Sequence, residues 1–286
     1  MKMTTKDDYV KRINMVIEYI NNHIGEAMYL KKLADISNFS EYHFHRIFKT
    51  YQGETLGSYI SRVRIERAAI LLKYSEIPIE NIAQNIGYET PSAFSRAFKL
   101  FFDSPPIEYR NNCNIRNQKS TVNKLPLDLE SPRIVKLQSK TVIYVQLVGI
   151  PDTMDFPNAY AKLWNLINEE ENISKNQSFE HIAIYHDDPK ITTSEKYRSY
   201  VCLSINQPIK PKGEIGVKEI VGGLYAIFSY RGSYLNLESV YNIIFGEWLP
   251  ESGFELRDEP FFEKFVNDPF STASEELNTE IYIPIH

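Results

Sequence analysis

The sequence is poor in cysteine and has no long apolar run. Its two cysteines, Cys113 and Cys202, stand far apart and outside any CxxC or histidine-rich context, so neither a disulfide framework nor a metal site is expected. No stretch approaches the roughly 20 apolar residues of a membrane span, and the N-terminal MKMTTKDDYV lacks the apolar run of a signal peptide. We therefore expect a cytoplasmic protein with no membrane partner, no metal and no cofactor.

Positive charge is also scarce overall, but it is distributed unevenly. The 286 residues carry a net charge of -5, to which residues 1–117 contribute +3 and residues 118–286 contribute -8. Because +3 is a small excess for a DNA-binding domain, phosphate contacts would have to come from local clusters of basic side chains. Residues 111–124 between the halves are polar, with almost no apolar periodicity. We interpret this segment as a linker between two domains.

A short aromatic and basic motif occurs twice, as FHRIFK at 44–49 and FSRAFK at 94–99. In each copy, apolar residues recur at the i, i+3, i+4, i+7 spacing of one helix face, and the opposite face is polar. The inward positions are Phe44, Ile47, Phe48 and Tyr51 in the first copy, and Phe94, Ala97, Phe98 and Phe101 in the second. Two helices of one design are predicted, each with a packed face and a free face.

The segments before these two helices also correspond to each other. LKKLADISNF at 30–39 matches IENIAQNIGY at 79–88, and Ser40 and Thr90 are candidate N-caps of the helices that follow. Each unit is therefore predicted to be a helix-turn-helix, whose second helix can enter the major groove of DNA. Residues 56–75 have the spacing of one long helix, which could hold the two units about one DNA turn apart.

The run from Leu30 to Arg110 closely resembles the DNA-binding domain of the AraC/XylS family of transcriptional regulators. The motifs that carry this resemblance are LADISNFSEYHFHRIFK, GETLGSYISRVRIERAAILL, IENIAQNIGYETPSAFSRAFK and SPPIEYR. The resemblance implies double-stranded operator DNA as a partner, with the polar faces of the third and sixth helices in adjacent major grooves. In this sequence, the resemblance implies that the DNA-binding residues are Tyr42, His45, Arg46, Lys49, Ser92, Ser95, Arg96 and Lys99.

For some basic and polar residues, the sequence does not decide between contacts to bases, contacts to phosphates and contacts within the protein. Residues 91–93 are Pro-Ser-Ala where some relatives have amide side chains, so we expect the second unit to read less DNA sequence. Lys49 and Lys99 are expected to contact phosphates rather than bases. Three arginines of the long helix fit surface ion pairs and phosphate contacts equally well: Arg62, Arg64 and Arg67.

The C-terminal half contains a second repeat, at a spacing of about eighty residues. Residues 182–205 correspond to residues 261–285, so that Asp188-Pro189 matches Asp268-Pro269. Upstream of these stretches, VIYVQLVGI and GLYAIFSYRG are strand-like runs, and each precedes a helical segment with a tryptophan. Each unit is predicted to be strand, helix, strand, strand. Two such units would form an α+β domain with approximate two-fold symmetry and a central cleft.

This half resembles the GyrI-like family of small-molecule-binding domains, over roughly residues 130–286. The resemblance rests on the DDP motif, EWLPESGFEL, PFFEKFVNDP and the terminal TEIYIPI. It implies a ligand cleft lined by aromatic side chains around a carboxylate. The predicted protein is thus multidomain, with an all-α domain of two helix-turn-helix units (1–112), a linker (113–130) and an α+β small-molecule-binding domain of two repeats (131–286).

Glu263 is the candidate carboxylate of this cleft. The alternation of a strand puts Phe261, Glu263 and Phe265 on one face, so that two aromatic rings flank the acid. A carboxylate among aromatic rings is disfavoured as an anion, and a cation that stacks on such rings relieves this cost. We therefore expect an apolar, cationic effector.

Other interpretations of this strand remain. The matching face of the first repeat carries His181, Ala183 and Tyr185, so the acid has no acidic counterpart. Glu263 could instead pair with Arg231 or Arg257, or face water. A core role explains the two tryptophans almost as well as ligand contact does. The candidate effector-binding residues are Glu263, Trp164, Tyr185, Tyr230, Trp248, Phe261 and Phe265.

Three functions compete at this point. The expected one is a transcriptional regulator, not an enzyme, that binds operator DNA and a small-molecule effector, with RNA polymerase as a further candidate partner. The second is a GyrI-like hydrolase or a toxin- or drug-binding protein tethered to DNA, with Glu263 as base. No Ser/His/Asp, Cys/His or HExxH arrangement supports a specific chemistry, although one activated carboxylate would leave no such pattern. The third is a protein-binding module with a vestigial cleft.

Overall fold

The computed structural model describes residues 5–119, 127–150, 153–170, 173, 178–207, 209–269 and 271–286. The chain divides into two compact units, the first formed by residues 1–116 with 210–216 and the second by 117–209 with 217–286. Each unit has a hydrophobic core of its own. Among the helices of the described ranges, none combines the length and the apolar character that crossing a bilayer requires.

The first unit is helical, as predicted. Its elements are α1 (Thr5–Asn22), α2 (Leu30–Ser37), α3 (Glu41–Gln52), α4 (Leu56–Tyr74), α5 (Ile79–Asn85), α6 (Pro91–Phe102) and α7 (Pro106–Lys119). Helices α2 and α3 form one helix-turn-helix and α5 and α6 form the other, with the long helix α4 between them. Helix α7 extends into the predicted linker, whose residues 120–126 lie outside the described ranges. The predicted domain boundaries stay predictions.

Both candidate N-caps are confirmed. The Ser40 hydroxyl accepts a hydrogen bond from the His43 amide, and the Thr90 hydroxyl accepts one from the Ala93 amide at 3.1 Å. These bonds satisfy amide groups that a first helical turn leaves without an internal acceptor. Asn38, directly after α2, and Gly87, two residues after α5, have left-handed backbone conformations (φ 52° and 82°). These conformations turn the chain toward each second helix.

The aromatic faces of α3 and α6 are buried, with one exception. Phe44, Phe48, Phe94 and Phe98 have no exposed surface. The prediction for Phe101 is wrong, because 43% of this residue is exposed. Phe102 takes its place, since Tyr109 of α7 packs against the rings of Phe98 and Phe102 with centroid distances of 5.3 and 5.1 Å and so covers that side of α6.

Two arginines of α4 hold the helical unit together and are not exposed phosphate ligands. The buried Arg62 guanidinium donates to Glu54 and Glu66, with both closest contacts at 2.8 Å. Arg64 donates to three backbone carbonyls, at 3.0 Å to Ile24, 3.0 Å to Gly87 and 2.6 Å to Glu26. These carbonyls belong to the segment after α1 and to the turn between α5 and α6. Arg64 therefore links both segments to α4.

The second unit is built on one nine-stranded antiparallel sheet. Its elements are β1 (Asp128–Leu129), β2 (Arg133–Leu137), β3 (Lys140–Val148), α8 (Phe156–Glu169), β4 (His181–Tyr185), β5 (Arg198–Ile205), β6 (Ile215–Ile220), β7 (Gly223–Arg231), α9 (Leu237–Ile243), a π-helical turn (Ile244–Trp248), α10 (Leu249–Ser252), β8 (Phe262–Phe265) and β9 (Asn278–Ile285). The strand order is β1-β7-β9-β8-β4-β5-β3-β6, and β2 also pairs with β7. The predicted strand-helix-strand-strand repeats are confirmed as β3-α8-β4-β5 and β7-α9-β8-β9.

The two repeats meet at the centre of the sheet, where β4 pairs with β8. Ala183 lies directly opposite Glu263 in this antiparallel pair. These two residues are also equivalent by the eighty-residue repeat, so the approximate two-fold axis passes between them. The loops between β4 and β5 and between β8 and β9 contain equivalent hydrogen bonds. Asp187 accepts from the backbone amide of Arg198, and Asn267 accepts from the backbone amide of Asn278, each at 2.8 Å.

The carbonyl contacts of Arg64 lead to a prediction about stability. Arg64→Met keeps most of the aliphatic chain but leaves three carbonyls without their charged donor, so we expect a loss of about 3 kcal/mol in the unfolding free energy of the helical unit. Helical circular dichroism during urea unfolding measures this loss. Arg46→Met, at an exposed arginine, is the matched control and should change stability by less than about 0.5 kcal/mol. Equal effects of both substitutions would contradict the role given to Arg64.

Candidate functional site

The polar face of α3 is free, as the sequence predicts. Tyr42, His45, Arg46 and Lys49 are all exposed, while Phe44 and Phe48 on the opposite face are buried. The Arg46 guanidinium lies 5.7 Å from the centre of the Tyr42 ring, and it donates to the Tyr42 hydroxyl at 3.4 Å. Two donor-bearing side chains therefore stand together on one accessible helix face.

The corresponding face of α6 carries the same number of hydrogen-bonding side chains, but two of them are short serine hydroxyls in place of Tyr42 and His45. Ser92, Arg96 and Lys99 are exposed, and Ser95 is half-buried. Beyond them, Leu100 is 87% exposed, so the C-terminal turn of this helix presents an apolar side chain beside its basic ones. The two second helices thus share their packing but differ in the chemistry of their free faces.

In the second unit, Glu263 is a buried acid held by two tyrosines. Only 1% of the residue is exposed. The Tyr185 hydroxyl donates to one carboxylate oxygen at 2.8 Å, and the Tyr241 hydroxyl donates to the other at 2.5 Å. Each oxygen therefore has its own donor, while no basic side chain donates to the carboxylate in the described ranges. The alternatives for Glu263 are wrong, since Arg231 pairs with Glu276 and Arg257 donates to the Gly222 carbonyl.

The electrostatics of this site follow from its burial. Burial raises the pKa of the Glu263 carboxyl, and the hydrogen bonds from Tyr241 and Tyr185 oppose this shift without cancelling it. Burial also raises the pKa of both tyrosines, and the nearby carboxylate adds to that shift. The negative charge of Glu263 is thus poorly compensated when the site holds only its own side chains.

A second set of tyrosines lies near Glu263. Tyr160, Tyr197 and Tyr234 each lie close enough to Glu263 for its charge to raise their pKa, although burial is the larger cause in all three. For Tyr234 the pKa rises to about 12. We name this group the tyrosine cage; it consists of Tyr160, Tyr185, Tyr197, Tyr234 and Tyr241. These phenols remain neutral and present hydroxyl groups and ring faces around a single carboxyl group.

The other residues predicted from the sequence divide into two sets. Phe261 packs against Tyr185 and Tyr241, with centroid distances of 5.9 and 5.2 Å, and Phe265 packs against Tyr234 at 5.5 Å. Trp164 contacts the ring of His181, which is the direct strand partner of Phe265. These three residues therefore border the tyrosine cage.

Tyr230 and Trp248 make contacts that serve the core instead. The Tyr230 hydroxyl donates to the Ser233 carbonyl at 3.0 Å, and the residue is buried beside Gly232. Trp248 packs edge to face on Phe228 and lies parallel to Phe254. Ser233, Phe228 and Phe254 do not belong to the tyrosine cage, so a packing role explains both residues.

Sequence reasoning missed Tyr160, Tyr197, Tyr234 and Tyr241. Helical spacing could have found Tyr241, because Leu237, Val240, Tyr241 and Ile244 follow the i, i+3, i+4, i+7 pattern of the face that α9 turns to the sheet. Tyr160 lies four residues before Trp164 on α8, which is the same spacing. Within the described ranges, no group of three or more His, Cys, Asp or Glu side chains could hold a metal ion.

A double helix-turn-helix unit with free recognition faces, joined to an α+β unit with a buried acid, defines the class of DNA-binding regulators that carry a small-molecule-binding domain. Residues 130–286 match the GyrI-like small molecule binding domain, and residues 33–112 match a helix-turn-helix domain. The chain belongs to the GyrI-like family and is an AraC-family DNA-binding transcriptional regulator.

Two relatives match about a third of the chain. Regulatory protein SoxS of Salmonella typhimurium is 37% identical over 99 residues, which is 35% of this chain and 92% of SoxS. The multiple antibiotic resistance protein MarA of the same organism is 34% identical over 98 residues, or 34% of this chain and 77% of MarA. Among solved structures, the C-terminal domain of EcmrR is 20% identical, covering 57% of this chain and 99% of that domain, with a TM-score of 0.44.

The raised pKa of Glu263 predicts how stability depends on pH. The native pKa is higher than the unfolded one, so the stability contributed by Glu263 is complete below the ordinary value of 4.5 and is lost as pH rises through the native pKa. We expect Glu263→Gln to stabilise the second unit at pH 8 and to have much less effect at pH 4.

Tryptophan fluorescence during thermal unfolding measures this difference, because both tryptophans, Trp164 and Trp248, lie in the second unit. Glu251→Gln, at an exposed glutamate of α10, is the control and should behave like the parent protein at both pH values. A stabilisation that is the same at pH 4 and pH 8 would show that desolvation of the charge is not its cause.

Proposed function

We propose that the second unit binds an apolar, cationic effector at Glu263 and that this binding regulates DNA binding by the helical unit. The observation that carries the proposal is a carboxylate with 1% exposure whose two hydrogen-bond donors, Tyr185 and Tyr241, are both neutral. A buried anion without a cationic partner is costly, and a bound cation reduces this cost. Glu263 is thus better suited to binding a cation than to stabilising the unliganded fold.

The surrounding rings favour an apolar cation over a small hydrated one. Tyr185, Phe261, Tyr241 and Phe245 form a continuous set of ring contacts beside the carboxylate. Their faces attract positive charge and exclude water, so a cation with a large apolar surface gains both cation–π contact and burial. The effector therefore combines a charged nitrogen with aromatic or aliphatic bulk.

Entry of such a molecule requires the tyrosine cage to open. Tyr241 and Phe245 lie on α9 and on the π-helical turn that follows it, at Ile244–Trp248. Turns of this kind interrupt the regular hydrogen bonding of a helix and often occur at functional sites. We propose that this segment moves when the effector replaces the hydrogen bond between Tyr241 and Glu263.

On the DNA side, we propose that α3 reads bases and that α6 contributes mainly phosphate contacts. The support is the difference between their free faces: α3 presents Arg46 beside Tyr42, whereas α6 begins with Pro91 and has short serine hydroxyls around Arg96. An effector changes DNA affinity only if it binds two states of the protein with different affinity. A cytoplasmic location and RNA polymerase as a further partner stay predictions.

Hydrolysis is the second candidate function, at the same carboxylate. A buried acid with a raised pKa, hydrogen-bonded to Tyr185 and Tyr241, has the properties of a general base with a phenol beside it. SoxS is named as a regulatory protein, and SoxS and MarA each match only about a third of this chain. Turnover of an electrophilic ligand by the parent protein and its loss in Glu263→Gln would favour the hydrolase.

Arg46 provides the test of base recognition. Arg46→Ala should weaken binding to an operator selected from random DNA by about 1–3 kcal/mol, because a bidentate contact to guanine is lost, and should barely change binding to unrelated DNA. Lys49→Ala, which removes a predicted phosphate contact, is the comparison. It should weaken binding to the operator and to unrelated DNA by similar factors. If Arg46→Ala also weakens both DNAs equally, Arg46 contacts the backbone and not a base.

A pair of isosteric ligands tests the effector proposal. Benzyltrimethylammonium and neopentylbenzene have the same shape and differ by one positive charge. We expect the full-length protein to bind the cation at least about tenfold more tightly, since 1.4 kcal/mol of charge interaction is sufficient for that ratio. Calorimetric or fluorescence titration at low salt measures both affinities.

The matched variant for this titration is Glu263→Gln, which preserves the shape of the side chain and removes its charge. It should bind the two ligands with nearly equal affinity. If the parent protein shows no preference for the cation, or if Glu263→Gln retains that preference, the proposed role of Glu263 in effector binding is wrong.

A further inference from the structure

Three hydroxyl groups next to the Glu263 site have no hydrogen-bond partner among the described residues. They belong to Tyr160 of α8, to Tyr234 of the turn after β7 and to Thr279 of β9, and their oxygen atoms are buried. A buried hydroxyl without a partner costs about 1–3 kcal/mol. Three such groups around one ligand site therefore lower the stability of the unliganded protein.

The three hydroxyl groups are arranged along one row of the sheet. His181 of β4, Phe265 of β8 and Thr279 of β9 are direct neighbours across the strands. The Tyr160 ring packs on His181 at 5.1 Å, and the Tyr234 ring packs on Phe265 at 5.5 Å. All three hydroxyl-bearing residues thus surround a single cross-strand row, which we name the hydroxyl row.

The backbone of the hydroxyl row lies one row away from that of Glu263. Glu263 occupies the adjacent row of the same face, with Ala183 on one side and Ile281 on the other. Rows on one face are two residues apart along a strand, which corresponds to about 7 Å. The side chain of Ala183, directly opposite Glu263, is small and occupies little of the space above that row.

We propose that the effector carries a hydrogen-bond acceptor about 7 Å from its cationic group, and that Tyr160, Tyr234 and Thr279 bind this acceptor. The inference rests on the proposed cation site at Glu263 and adds a second polar anchor to it. Carbonyl and ether oxygens fit this role, because neutral hydroxyl groups donate to them and do not require another charge.

A site of this kind selects ligands more strongly than an apolar pocket does. An analogue that lacks the acceptor would bury the same three hydroxyl groups unsatisfied, whereas the matching ligand removes their cost. The effector is accordingly an amphipathic cation with polar groups at two places, and a purely hydrocarbon cation of the same size is a poor substitute.

Three related cations test the proposal with the full-length protein. The first is para-acetylbenzyltrimethylammonium, whose carbonyl oxygen is far from the nitrogen. The second is its para-isopropenyl analogue, in which a methylene group replaces that oxygen. The third is the ortho-acetyl isomer, whose carbonyl oxygen lies close to the charge. We expect the para-acetyl ligand to bind about tenfold more tightly than either of the others.

The variants Tyr160→Phe and Tyr234→Phe identify the groups responsible. The double variant should lose most of the parent's preference for the para-acetyl over the para-isopropenyl ligand, and adding Thr279→Val should remove the remainder. Without ligand, each single variant should unfold about 1–4 °C higher than the parent, since it removes an unsatisfied buried hydroxyl. Tyr225→Phe is the matched control on the opposite face, and it should unfold lower because its hydroxyl donates to the Val221 carbonyl at 2.7 Å.

The outcomes separate this inference from the proposed function. If the parent prefers all three cations to neutral ligands but does not distinguish among them, the cation site stands and the hydroxyl row is not an anchor. Tyrosine variants that lower the unfolding temperature as Tyr225→Phe does would also overturn the inference, because the hydroxyl groups would then have partners. If no cation is preferred to a neutral ligand, both proposals are wrong.

Discussion

The removal of the Glu263 carboxylate from water is the constraint on which the second unit depends. A charge at the centre of a sheet is costly unless its oxygens have hydrogen-bond donors, and here Tyr185 and Tyr241 supply one donor for each oxygen. Both donors come from outside β8, one from the neighbouring strand and one from a helix. The carboxylate therefore fixes the positions of β4 and α9 as well as its own strand.

The internal repeat explains how such a site can be asymmetric. The approximate two-fold axis passes between Ala183 and Glu263, so the duplicated positions lie side by side, and only one of them bears a charge. Two acids there would repel each other at close range, and two alanines would bind no cation. The helical unit uses duplication similarly, because α3 and α6 have the same buried phenylalanines but different free faces.

Local spacing accounts for what could be predicted from the sequence. The caps at Ser40 and Thr90 and each helix and strand follow from patterns within a few residues, and the repeats at fifty and about eighty residues pair these elements into units. The face shared by Glu263 and its flanking phenylalanines follows from strand alternation in the same way. These features are local consequences of hydrogen bonding and side-chain direction.

Tertiary contacts account for what could not be predicted. The carbonyl contacts of Arg64 and the packing of Phe102 in place of Phe101 against Tyr109 depend on which segment packs beside each helix. The hydroxyl of Tyr241 reaches the carboxylate across 22 residues of chain. Tyr230 and Trp248 were predicted at the site because aromatic residues serve cores and ligand sites alike, and their type alone does not separate the two roles.

The most direct test of the central claim is the titration of the Glu263 carboxyl group itself. Carbon-13 NMR of glutamate-labelled full-length protein, with Glu263→Gln to assign the resonance, follows this group through pH. We expect Glu263 to titrate at higher pH than the exposed glutamates in the same spectrum, and to shift to lower pH when benzyltrimethylammonium saturates the site. The claim that Glu263 is a desolvated carboxylate that binds a cationic ligand would be contradicted by either of two results. One is a Glu263 resonance that titrates with the exposed glutamates, and the other is a resonance that does not respond to the cation.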